Sequence, residues 1–98
     1  MIYLLAHLTA RPNDHAEILA DAKIMIAATR TEPGCILYDL NVSITDPCSM
    51  IFVEIWESRE ALTAHFETPH MAVWREKSGP YFVARKIEVI HPDRVELL

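Results

Sequence analysis

Apolar and polar positions alternate from the start of the chain. Ile2 to Thr9 is rich in strand formers, with Ile2, Leu4, Ala6 and Leu8 on one face and Tyr3, Leu5, His7 and Thr9 on the other. Arg11-Pro12-Asn13 ends this strand, and Asp14 followed by Glu17 predicts a capping box at the start of a helix. Ile18, Leu19, Ala22, Met25 and Ile26 then recur at helical spacing until Glu32-Pro33-Gly34 stops the run. Cys35 to Ile44 returns to alternation, with Ile36, Tyr38, Leu40 and Val42 on one side. Thr45-Asp46-Pro47 reads as a turn into a third strand, Met50 to Trp56. Ser58 is a good N-cap for a short helix carrying Leu62, His65 and Phe66. Thr68-Pro69 opens another, with Pro69 at the first helical position and Met71, Val73 and Trp74 along it, ending at Ser78-Gly79-Pro80. A last strand runs from about Tyr81 to His91.

Strand, helix, strand, repeated once, predicts a single α+β domain over residues 1–98. Its expected form is a ferredoxin-like four-stranded antiparallel sheet with helices on one face. The third strand sharpens this. Ile51, Val53 and Ile55 form one flank; Met50, Phe52, Glu54 and Trp56 form the other. Both flanks are largely apolar, yet helices on one side cover only one of them. A second copy packed sheet to sheet would cover the other, so the pattern predicts a homodimer.

Composition narrows the functional classes. The formal charge of −5 lacks the basic surface that nucleic acid requires, and no nucleic-acid partner is expected. With only Gly34 and Gly79 as glycines, no glycine-rich phosphate loop or dinucleotide fingerprint can be built. Cys35 and Cys48 lack thiolate-zinc spacing, and a hairpin turning near Asp46-Pro47 holds them apart. Met1 to Leu8 is too short to cross a bilayer and lacks signal-peptide features, so the chain reads as cytoplasmic, off the membrane, with free thiols.

Candidate chemistry starts with five histidines, none of them in an HExxH pattern. His65 and His70 lie five apart with a proline between them, which is poor metal-ligand spacing, and no metal is expected. His65 shares the apolar side of its helix with Leu62 and Phe66. His70 follows at the start of the next helix, where the positive helix end favours a neutral imidazole. Two imidazoles at one corner could exchange protons with a bound ligand. Tyr38, Trp56, Phe66, Met71 and Trp74 could line an aromatic pocket, and His7 would join them if the odd-numbered side chains of the first strand point toward the helices. Glu54 interrupts an apolar face; a buried partner across a dimer interface is the plainer expectation for it than catalysis. Arg75, Lys77, Arg85 and Lys86 form a loose basic cluster late in the chain.

Three stretches, Glu32-Pro33-Gly34-Cys35, Glu54-Ile55-Trp56-Glu57-Ser58 and Ala64-His65-Phe66-Glu67-Thr68-Pro69-His70-Met71, resemble the antibiotic biosynthesis monooxygenase domain in order and spacing. The likeness spans nearly the whole chain and is greatest to bacterial quinol monooxygenases. It implies a dimeric α+β barrel with a pocket between sheet and helices in each subunit. It also implies oxidation of a quinol or polycyclic phenol by dioxygen without metal, flavin or other cofactor, with His65 and His70 handling protons. An electron-rich phenolate can itself pass an electron to dioxygen, so binding, deprotonation and orientation would suffice. The haem-degrading branch of the same fold relies on an Asn, Trp and His triad, and the corresponding positions, near His7, His65 and Arg75, do not match it. A branch that isomerises a phosphorylated quorum-sensing signal also carries a T-P-H element and is the enzymatic alternative, with Arg75, Lys77, Arg85 or Lys86 available for phosphate. A non-catalytic ligand-binding or stress-response module of the same fold is the other.

Overall fold

The computed structural model describes all 98 residues. Four strands, β1 (Ile2–Ala10), β2 (Cys35–Val42), β3 (Ser49–Trp56) and β4 (Phe82–Ile90), form one antiparallel sheet in the order β2-β3-β1-β4. Three helices, α1 (His15–Thr29), α2 (Arg59–Phe66) and α3 (Pro69–Ser78), complete the ferredoxin-like α+β arrangement.

Register decides which side chains meet the helices. Leu4 stands opposite Glu54, Ala6 opposite Phe52 and Leu8 opposite Met50, so the even-numbered positions of β1 and β3 share one face. These residues are buried, and they pack with Ile18, Ala22 and Met25 of α1, Leu62 of α2 and Trp74 of α3. The odd-numbered positions, including Tyr3, Leu5, Ile51, Val53 and Ile55, form the outer face and are only half-buried. The two flanks expected of the third strand are therefore real, one beneath helices and one without them.

Three local expectations need correction. Asp14 precedes α1, but its backbone (φ −102, ψ 7) leaves its side chain unable to bond the first helical N–H groups, so no capping box forms. An N-cap needs extended backbone, as Ser58 has before α2 and Thr68 before α3; both of these accept the expected bond, from the N–H of Ala61 and Met71. In β2 the register slips between Cys35 and Leu37. Ile36 occupies that bulge and is exposed, so it leaves the face shared by Tyr38, Leu40 and Val42. Cys35 pairs with Trp56 at one end of the hairpin while Cys48 lies beyond the other end, and both thiols are free.

Candidate active site

Gly34 sets the geometry of the corner where α2 meets the β2 edge. Its φ of +85 belongs to the left-handed region, and a Cβ there would fall 2.7 Å from the Cβ of Ala61 in α2. The turn that it makes carries Glu32 beneath the junction of α2 and α3. Glu32 Oε2 accepts from His65 Nδ1 at 2.8 Å and from His70 Nε2 at 2.7 Å. The donor atoms of all three residues lie within 4.8 Å of one another, near enough to share a cation, a grouping that the spacing of the histidines alone did not suggest. Thr68 closes the corner, its hydroxyl donating to the His65 carbonyl at 2.8 Å.

His65 is fully buried, and burial pulls its pKa down, against the opposing pull of Glu32. A carboxylate only accepts, so the nitrogen facing Glu32 carries the proton, and in the neutral ring Nε2 holds a lone pair. That Nε2 has no hydrogen-bond partner. The ring lies between aromatic neighbours, 4.7 Å from Trp56 and 5.2 Å from Tyr38 between centroids.

Beside His65 a cavity of about 420 Å³ opens between the sheet and α2–α3. Leu4, Ala6 and Phe52 form its floor, and Tyr38, Phe66, Met71 and Trp74 form walls. Of the residues expected to line a pocket, four therefore do so. Trp56 lies one layer back, fully buried, and donates from Nε1 to Glu54 Oε1 at 3.0 Å. His70 does not border the cavity either; it reaches the site only through Glu32. His7 points from the outer face to Glu88, 2.8 Å away, because the even positions of β1, rather than the odd ones, turn toward the helices.

Glu54 also differs from expectation. It borders the cavity on the helix-covered face, so a partner across an outer interface is out of reach. Burial pushes its carboxyl up to about 7, although hydrogen bonds from Trp56 and Tyr38 pull the other way. Burial likewise raises Tyr38, which stays a neutral phenol. Of the basic cluster, Arg75 and Arg85 border the cavity. Lys77 instead pairs with Asp21 at 3.7 Å, and Lys86 lines a separate hollow on the outer face. Glu32 is the candidate site residue that the spacing of the histidines did not reveal: it had counted only as a helix stop, although it heads the first of the three family-like stretches. The second and third stretches border the cavity through Glu54, His65, Phe66 and Met71, and the first reaches it only through the bond of Glu32 to His65.

Residues 1–77 match the antibiotic biosynthesis monooxygenase family. An uncharacterized protein of Synechocystis sp. is 34% identical over 88 residues; the match covers 90% of this chain but only 59% of that protein's length. "Putative monooxygenase Rv0793" of Mycobacterium tuberculosis is 33% identical over 78 residues, covering 80% of this chain and 76% of that protein. Its solved structure superposes with a TM-score of 0.88 over 96% of both chains, at 28% identity. "Probable quinol monooxygenase YgiN" of Escherichia coli is 26% identical, across 94% of this chain and 98% of its own. No helix is long and apolar enough to cross a membrane. By its matched length and by its fold, the chain belongs to the antibiotic biosynthesis monooxygenase family.

Proposed function

We propose that this protein is a cofactor-independent monooxygenase that oxidises a quinol-like aromatic with dioxygen. One observation carries the reading: a buried imidazole is tethered through Nδ1 to a carboxylate and borders an apolar cavity, and its Nε2 is without a partner. A phenolic hydroxyl that reaches Nε2, which the surrounding rings now screen from solvent, supplies the missing donor. Proton transfer to Nε2 leaves an electron-rich phenolate, and Glu32 stabilises the imidazolium so formed. The phenolate gives an electron to dioxygen, and the two radicals combine at a ring carbon as a peroxide anion. Loss of water from it yields the hydroxyquinone, with the His65 proton returned to the departing oxygen. For 1,4-naphthohydroquinone the balance is quinol plus dioxygen to 2-hydroxy-1,4-naphthoquinone plus water. Aromatic walls exclude bulk water and hold the ring in place. The printed name of the Escherichia coli relative agrees with this substrate class.

The same reading includes a homodimer in the cytoplasm, joined through the half-buried apolar outer face. Oxygen uptake by chelator-treated, flavin-free protein tests the activity. It should exceed the spontaneous oxidation of 1,4-naphthohydroquinone, and His65→Gln should cost roughly 10²–10⁴-fold, the usual weight of a general base. Uptake no faster than the uncatalysed reaction with several different quinols defeats the assignment.

A further inference from the structure

Two arginines stand at the rim of the cavity, and neither has an acidic partner. Arginine and lysine make three ion pairs in this molecule, Arg30–Asp39, Lys77–Asp21 and Arg94–Glu96, and Arg75 and Arg85 are among the six cations outside them. Both are nonetheless held in place. Arg75 donates to the carbonyl of Phe66, the last residue of α2. Arg85 donates to the carbonyl of Gly79 at 3.2 Å, just past the end of α3, and lies over the Phe82 ring at 5.5 Å. The negative ends of two helices thus fix two guanidinium groups beside an otherwise apolar hollow. Each guanidinium has five N–H donors, and only one or two are used here. In a chain of net charge −5, two of the unpaired cations thus border one cavity.

We propose that the aromatic ligand of this cavity carries a carboxylate, received at the rim by Arg75 and Arg85, while its hydroxyl meets His65. The inference rests on the reading of the cavity as an aromatic site. A planar guanidinium fork matches a carboxylate in shape and charge, and the cavity border contains no other cation. Glu54, the sole carboxyl on that border, is the group most readily held neutral there, because burial favours its protonated form.

Binding of 1-naphthol and of 5-hydroxy-1-naphthoate, whose hydroxyl and carboxylate stand on different rings, followed by quenching of tryptophan fluorescence, tests the idea on the full chain. The carboxylate should bind about fivefold tighter or better, the scale expected of partly exposed charge-assisted contacts. Arg75→Gln and Arg85→Gln should each bring the affinity ratio toward one. Since both arginines also cap helix ends, a second readout needs no variant: raising salt should erode the preference in the unmodified protein while 1-naphthol binding holds. Equal affinities, a salt-insensitive ratio, or tighter binding of 1-naphthyl phosphate than of the carboxylate overturns the proposal. Neither principal probe is a quinol, so the preference is read whether or not the protein oxidises anything. Absent quinol oxidation with the preference intact removes the monooxygenase reading alone, and oxidation without the preference removes this one alone.

Discussion

One carboxylate oxygen shared by two imidazoles makes Glu32 the residue that opposes the effect of burial on His65. Burial lowers the His65 pKa and Glu32 raises it, so Glu32→Gln should lower it further. The acidic limb of the pH–rate profile then moves to lower pH, while the maximal rate falls because the imidazolium has lost its counter-charge. Oxygen uptake measured across the pH range checks both; an unmoved limb would show that His65 is not the titrating base. Glu54 gives a separate prediction in stability. Its carboxyl titrates at about 7 in the folded protein against an ordinary 4.5. Between those values the native state holds a proton that the unfolded chain has released, so stability falls as pH rises through the window. Above it the cost is on the order of 3 kcal/mol. Glu54→Gln keeps an acceptor for Trp56 Nε1 and removes the titration. Urea unfolding at pH 5 and pH 8 should show the variant gaining on the parent at the higher pH, and parallel behaviour would refute the assignment.

The elements around the site depend on a turn as much as on a helix. Gly34→Ala places a methyl group 2.7 Å from Ala61 Cβ in a left-handed conformation, so α2 must shift and Glu32 with it. A cost of about 1–3 kcal/mol is expected, with weaker ligand binding. Gly79→Ala meets nothing within 4 Å and has a φ of −47, so it should be neutral or slightly stabilising. Thermal unfolding of the two variants checks the contrast. Much at this scale was legible beforehand: Ser58, Thr68 and Pro69 mark helix starts through bonds made within a few residues. The capping box at Asp14 and the place of Ile36 were misread because a cap depends on backbone angles and a bulge on the partner strand. His7 was misread for a related reason, since alternation shows that two faces exist and only packing tells which one the helices cover. Glu32, 33 and 38 residues from its partners, leaves no periodic trace at all.

For the molecule as a whole, the outer face of the sheet is the determining surface. Val53 lies at its centre, half-buried and uncovered by any helix. Light scattering on a sizing column should report twice 11.2 kDa for the unmodified chain and a single copy for Val53→Lys, which sets a charge against its own symmetry mate. A lone protomer in the unmodified protein would remove the dimer from the reading. The strand order carries one more consequence, for biosynthesis. β1 pairs with both β3 and β4, yet it leaves the ribosome before either, and β4 leaves after every other element. β3 can close one edge of β1 once the first 56 residues are made, but the other edge of that middle strand must stay open until β4 has followed both later helices. Synthesis stalled after α3 would leave a product that proteases recognise as unfinished.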